Sequence, residues 1–477
     1  MLARQLDALH PSFDTSPSAR CRRCCLKFGT SGQMRRHICS IGDVMRRWRE
    51  MLRLTLSVAV AIAVLSSCSS PTPASSKPEG TSPAIVAEGP STLALDIAPR
   101  SIQIHMNAIV VDGHADTPQR LLFDTTFDIG ARQATGDVDL PRMRAGGLDA
   151  EFFSIWVPGT VTGPPAVERA LRLIDSVGEA ARGHPQELVL ARTAGEVRRA
   201  AGDHKIAALM GLEGGHMIDD DLGLLRAYFA LGVRYMTLTH FMNNDWADAS
   251  TDKPAHNGLT AFGKDVVHEM NRLGMMVDVS HVSDKTFYDA IEVSQAPVMA
   301  SHSSCRAISN HPRNMTDDML RALAKNGGVV MINYEASFLS EEYRKALETL
   351  GGDVVAQRND MEKKCGGDEA CVTLATSRSN HALMDSGRLP RVTWQKVVEH
   401  IDHAVKVAGI DHVGLGSDFD GATMPIGMED VSKLPRITDA LLEKGYSEQD
   451  VAKILGGNIL RVMEQVDSIR LSSLTRR

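Results

Sequence analysis

The chain has 477 residues, 43% of them hydrophobic and 23% charged, which is the make-up of a globular enzyme with a large buried core and excludes a disordered or fibrous chain. Its net charge of −7 is uneven: residues 1–67 hold 11 basic and 4 acidic side chains, leaving 41 basic against 55 acidic in the rest, a net −14. A body that acidic argues against nucleic acid or another polyanion as partner.

In chain order, Arg46, Arg47, Arg49 and Arg53 precede an apolar run over 54–65, then Leu65–Ser66–Ser67–Cys68 and a stretch rich in Ser, Pro, Gly and Ala. A basic region, a short apolar region and small residues make a signal peptide, and the run is too short to span a bilayer. The Leu-Ser-Ser-Cys tetrad resembles a bacterial lipobox, in which the cysteine becomes the lipidated first residue. That resemblance implies export, a membrane anchor at Cys68 and a place in the bacterial cell envelope. A signal peptide should begin near the start of a chain, so residues 1–44 read as an upstream segment, with Met45 or Met51 as the working start. Within that segment Cys21, Cys24, Cys25, His37 and Cys39 lack the second histidine of a zinc finger, and no structural zinc is expected there. The expected organisation is therefore 1–44 upstream, 45–67 signal, 68–97 linker and 98–470 catalytic domain.

From residue 102 onward, apolar runs at 109–115, 149–157, 206–213, 233–239, 275–280, 297–301, 328–334 and 412–417 read as eight strands. Amphipathic stretches at 167–182, 222–230, 259–273, 284–293 and 317–325 read as helices between them. Continuous apolar strands alternating with helices predict a parallel sheet covered on both faces, and eight such units predict an α/β fold of the (β/α)8 TIM-type barrel kind. Between residues 334 and 392, helical stretches at 341–350 and 353–364 predict a helical insertion on the catalytic rim, between the seventh and eighth strands. There Cys365 and Cys371 bracket a polar loop that a disulfide would close in an oxidising compartment. Cys305 has no matched partner and reads as a small buried residue. Two further helices are expected over 435–466.

Five strands end in residues able to bind a metal. His114 and Asp116 form an H-x-D pair, whose side chains share one face of an extended segment. Glu213 precedes Gly214–Gly215, and His281 and His302 each follow a serine. One such histidine alone reads as a hydrogen-bonded core residue. Two on successive strands, beside H-x-D and Glu213, point to a catalytic metal site with imidazole and carboxylate ligands, which suits Zn2+. His240 ends the fourth strand, His216 reads as a supporting histidine, and Asp420 as an acid that stabilises its loop.

These motifs, Asp112–Gly113–His114–Ala115–Asp116, Gly211–Leu212–Glu213–Gly214–Gly215, Leu238–Thr239–His240, Asp278–Val279–Ser280–His281, Ser301–His302–Ser303, Arg313–Asn314 and Gly416–Ser417–Asp418–Phe419–Asp420–Gly421, stand in the order of the membrane dipeptidase (renal dipeptidase) family of zinc peptidases in the amidohydrolase superfamily, which the chain resembles over about residues 100–465. The resemblance implies two Zn2+ per chain, one held by His114 and Asp116, the other by His281 and His302, with Glu213 bridging them. It implies a dipeptide substrate, often with a D-residue on the C-terminal side, cleaved by a hydroxide shared between the ions. Asp418 would move the proton, His240 would bind the carbonyl oxygen and Arg313 the free carboxylate. A homodimer is among the assemblies it allows. The sequence leaves open a related amidohydrolase acting on N-acyl amino acids or lactones, and a barrel that serves as a surface-anchored binding protein.

Overall fold

A computed structural model describes residues 96–475. The readings of the upstream segment, the signal peptide, Cys68 and the linker up to residue 95 lie outside the described residues. No described helix is long and apolar enough to cross a membrane.

The strands are β1 (Val111–Ala115), β2 (Ala150–Trp156), β3 (Leu188–Leu190), β4 (Ile206–Glu213), β5 (Val233–Thr237), β6 (Met276–Asp278), β7 (Met299–Ala300), β8 (Val329–Ile332) and β9 (Val413–Leu415). Their order is β2-β1-β9-β8-β7-β6-β5-β4, and β2 pairs back onto β4 from Ala150↔Ala207 to Trp156↔Glu213, so eight parallel strands close into a barrel. Every residue of β1, β4 and β8 is buried, as expected of strands with a packed interior on one face and helices on the other. Inside, Val111, Phe152, Leu209, Tyr235, Met299 and Met331 belong to one apolar cluster, and a second, larger cluster fills the space between strands and helices. The barrel is therefore a filled core and leaves chemistry to its rim.

The ninth strand, β3, was not expected. It is three residues long and pairs with Ile206–Ala208 at the start of β4, while β5 pairs with the end of the same strand from Met210 to Glu213. A piece so short carries too little periodicity to be read.

Helix ends follow local chemistry. The helix Asp317–Asn326 opens where the Thr316 side chain accepts the Met319 N–H, and closes at Gly327 with φ 85°.

The insertion lies between β8 and β9, the seventh and eighth barrel strands. Its two expected helical stretches are one helix, Glu341–Cys365, interrupted at Gly351 (φ 31°, ψ −98°). A second inserted helix, Glu369–Asp385, was not expected, nor was Gln395–Ala408. Cys365 and Cys371 form a disulfide across the turn between the inserted helices, and Cys305 is buried and free. The C-terminal part carries the two expected helical runs, Pro435–Glu443 and a longer one from Glu448 to Thr475 that passes through a π-helical turn at Lys453–Gly457.

Candidate metal centre

Because all barrel strands run parallel, their carboxyl ends share one rim, and residues far apart in sequence meet there. His114 lies in β1 and Asp116 just beyond it, Glu213 is the last residue of β4, and His240, His281, His302 and Asp418 follow β5, β6, β7 and β9 within three residues. Glu213 stands at the middle. Its Oε1 lies 2.9 Å from His281 Nε2 and 3.3 Å from His302 Nε2, while its Oε2 lies 3.3 Å from His114 Nε2. His114 Nε2 is in turn 3.4 Å from Asp116 Oδ1. One carboxylate thus turns an oxygen to each of two clusters, and the sets His114, Glu213, His302 and Glu213, His240, His281 each gather ligand atoms within 4.8 Å of one another. Asp418 joins His114 and Asp116 in a third such set.

The side chains are prepared for metal ions. His114 Nε2 and Asp116 Oδ1 are buried without a hydrogen-bond partner, which a protein rarely tolerates unless something else binds them. His114 Nδ1 lies 2.8 Å from Tyr235 Oη, whose own proton points to the Gly113 carbonyl at 3.3 Å. His302 Nδ1 lies 2.7 Å from Ser301 Oγ, which donates to Asp278 Oδ2 at 2.6 Å. In both cases the hydroxyl's proton is committed elsewhere, so the hydroxyl accepts from Nδ1–H and the Nε2 lone pair is left facing the cluster.

Charge agrees. Burial and the neighbouring Arg313 hold His281 well below the usual histidine range, and burial with His114 does the same to His302. Burial works against an ionised Glu213, but His114 and His240 outweigh it and keep its carboxyl well below the ordinary value. His114 moves the other way, its pKa raised by Tyr235 and Glu213 against burial, and burial lifts Asp116 to about 7. Imidazole and carboxylate groups with no thiolate are the donor set of a two-zinc site bridged by Glu213.

A supporting layer holds these groups. The Asp278 carboxylate accepts the N–H groups of Ser280 and Ser301 at 3.0 and 2.9 Å as well as the Ser301 hydroxyl, locking the loops after β6 and β7 together. Asn333 Nδ2 donates to Asp418 Oδ2 at 2.9 Å. Burial raises the Asp418 pKa above the ordinary carboxylate value. Gly421 lies so close that an added Cβ would fall 2.4 Å from Asp116 Oδ2 and 2.6 Å from Asp418 Oδ1. Tyr235 and Asn333 were not singled out from the sequence, and Asp278 and Ser301 stood there only as members of their motifs; as strand or strand-end residues they resemble ordinary core positions.

The other expected residues fall into place around this cluster. His240 Nε2 is 3.7 Å from Glu213 Oε1, its ring packs at a tilt of 45° against Phe241 with centroids 4.4 Å apart, and burial lowers its pKa, leaving a neutral ring able to donate a hydrogen bond. Arg313 is 3% exposed and lies behind His302, donating to the His302 carbonyl at 3.0 Å and spread over the Phe338 ring. His216 belongs to none of the three sets and lines a small side cavity beside His240. Asp420 accepts from the Thr117 hydroxyl and the Asp137 N–H, each at 2.7 Å, so it braces its loop.

The sequence pattern of the family described as Membrane dipeptidase (Peptidase family M19) matches residues 99–477. Mouse (Mus musculus) Dipeptidase 3 is 36% identical over 375 residues, which cover 76% of this chain and 66% of the mouse protein, slightly under two thirds of that relative's length. A metallo peptidase from Rhodobacter sphaeroides, solved with a phosphinate mimic of the dipeptide L-Ala-D-Ala, superposes with a TM-score of 0.63 at 29% identity, covering 76% of this chain and 100% of that one. The probable dipeptidase PvdM of Pseudomonas aeruginosa superposes with a TM-score of 0.66 at 29% identity, over 78% and 100% of the two chains.

Proposed function

Since this chain belongs to the membrane dipeptidase family, we propose that it is a zinc-dependent dipeptidase that hydrolyses the single peptide bond of a dipeptide and accepts a D-residue at the C-terminal position. The observation that carries this reading is Glu213, with one carboxylate oxygen turned to His281 and His302 and the other to His114. The D-residue is supported by the L-Ala-D-Ala mimic held by the Rhodobacter relative.

Two Zn2+ held by His114, Asp116, Glu213, His281 and His302 would supply Lewis acidity and lower the pKa of water enough to make a nucleophile at neutral pH. The chain's own groups do the rest. Asp418, steadied by Asn333, takes the proton from the attacking water at its carboxylate and passes it to the nitrogen of the leaving amine. His240 donates its ring N–H to the carbonyl oxygen as charge gathers there, an effect of about 3 kcal/mol in a site closed to water. Arg313 provides the positive charge for the substrate's free carboxylate, which restricts the enzyme to a chain end. Trp156 and Phe241, at the cavity wall, keep bulk water from the reacting bond.

The test is release of free amino acids from L-Ala-L-Xaa and L-Ala-D-Xaa dipeptides, with metal analysis of the wild type and Glu213→Gln. Two zinc ions per chain and cleavage that collapses by about 1000-fold or more in the variant support the reading, since the bridging charge serves both ions. Bound zinc without cleavage of any dipeptide would overturn it in favour of an N-acyl amino acid or lactone substrate. The basic and apolar residues before Cys68 support export and a lipid anchor there, hence action in the cell envelope. A mature amino terminus found unmodified at Cys68 would refute that placement.

A further inference from the structure

A cavity of about 530 Å³ opens over the metal centre. Ligand cavities of about 300–1,000 Å³ hold whole small molecules, so there is room beyond the scissile bond for a long side chain. Part of its wall comes from the two inserted helices, which contribute Arg358 and Glu362 from the first and Glu369 and Thr373 from the second. Arg358 Nε and Glu362 Oε1 lie 3.0 Å apart and satisfy each other, and both are largely exposed at the mouth. Glu369 differs: it is half-buried and has no hydrogen-bond or ion-pair partner among the described residues. The charges that act on its carboxylate are Arg169 and Arg358 against Glu362 and Asp368, so together with Glu369 itself this end of the cavity holds three acids and two arginines.

Glu369 is held firmly. It is the first residue of its helix; the preceding Asp368 caps that helix by accepting the Cys371 N–H at 3.0 Å, and Cys371 is bonded to Cys365 at the end of the other inserted helix. Ala370 and Val372, on either side of Cys371, are buried. The helix packs against Thr117–Phe123, the helix that follows β1. Arg313 lies behind His302, after β7, and in the barrel order β9 and β8 stand between β1 and β7. A dipeptide whose carboxylate is directed to the Arg313 side therefore turns its amino-terminal residue toward Glu369.

We propose that Glu369 is a specificity residue that receives the cationic side chain of a lysine or arginine at the amino-terminal position of the dipeptide. The inference rests on the dipeptidase reading and adds a substrate class to it. Burial raises the Glu369 pKa, and a desolvated carboxylate gains more from an incoming cation than one in water does. Thr373, one turn further along the same face, adds a hydroxyl able to accept from the same cation.

The zinc-loaded full chain is assayed on Lys-Ala, Arg-Ala, Ala-Ala and Glu-Ala as wild type, Glu369→Gln and Glu369→Lys. The wild type should prefer Lys-Ala and Arg-Ala to Ala-Ala, and in Glu369→Gln the ratio of kcat/KM values should fall about tenfold through KM, the scale of one charge-assisted contact. Glu369→Lys should turn the preference toward Glu-Ala. A ratio that stays at the wild-type value in Glu369→Gln, with no gain for Glu-Ala in Glu369→Lys, overturns the inference. Calorimetric binding of phosphinate mimics of Lys-Ala and Ala-Ala separates the two readings. A protein that cleaves none of the dipeptides yet binds the lysine mimic more tightly, and loses that margin in Glu369→Gln, refutes the dipeptidase reading and keeps the subsite; equal binding of both mimics removes the subsite.

Discussion

Tyr235→Phe tests whether the barrel interior prepares the metal ligands. The phenol is fully buried within β5, and phenylalanine fills nearly the same volume, so packing is preserved and only the hydroxyl is lost. That hydroxyl accepts from His114 Nδ1 at 2.8 Å and donates to the Gly113 carbonyl at 3.3 Å. Without it the ring proton of His114 is no longer held on Nδ1, and the tautomer with its proton on Nε2, the atom needed for the ion, becomes accessible. Loss of such a supporting partner lowers metal affinity about 10–100-fold, or about 1.4–2.7 kcal/mol. The apo protein should lose about 1–3 kcal/mol as well, because a buried donor is left unsatisfied. Competition against a chromophoric chelator gives the zinc affinity, and urea unfolding of the apo forms gives the second quantity. Wild-type zinc affinity in the variant would refute the argument that Tyr235 sets the His114 tautomer.

Asn333→Ala removes the donor to Asp418 and should lower kcat by about 10–100-fold with metal content intact, checked by steady-state kinetics beside metal analysis. Gly421→Ala puts a Cβ between Asp116 and Asp418, so activity should drop while the circular dichroism spectrum stays that of the wild type. His105 and His400 are buried and belong to none of the metal-ligand sets, and burial lowers the pKa of each to about 4, below the unfolded value near 6.5. Between those values the unfolded chain binds more protons, so stability is full above the unfolded pKa and is lost as pH falls toward 4, by up to about 3 kcal/mol per histidine. Urea unfolding at pH 7, 5.5 and 4.5 should show that loss, and His400→Gln should shrink it; an unchanged pH slope in that variant would count against the assignment.

Much of the rim was legible because metal ligands are chemically distinctive and parallel strands place their ends together. His114, Glu213, His281 and His302 each close an apolar run, so barrel and ligands could be read at once. The helix over 284–293 was read at its observed bounds because Ser283 caps it and its apolar residues recur at helical spacing. What escaped was pairing across the barrel. Nothing in the run Val233–Thr237 says that Tyr235 meets His114, 121 residues earlier, since that contact depends on strand register and closure. Asp278 was seen only as part of a motif, because its partners lie on neighbouring strand ends. The inserted helix Glu369–Asp385 was masked by its polar start and the cysteine pair, and with it the part of the wall where Glu369 stands. Arg313 is held under Phe338 and against the His302 carbonyl, a placement that spacing alone does not reveal.

The spread of the ligands over four strands has a consequence for how the protein comes apart. Ions held among His114 on β1, Glu213 on β4, and His281 and His302 after β6 and β7 would act as cross-links across the ring, and no partly opened barrel presents the complete donor set. Metal that binds only the closed ring adds its binding free energy to the closure itself, about 4 kcal/mol at a free concentration 1,000 times Kd. A chelator would then act as a denaturant for the entire barrel, loosening strands that never touch the ion, and zinc supply would set the lifetime of the fold as much as its catalytic rate.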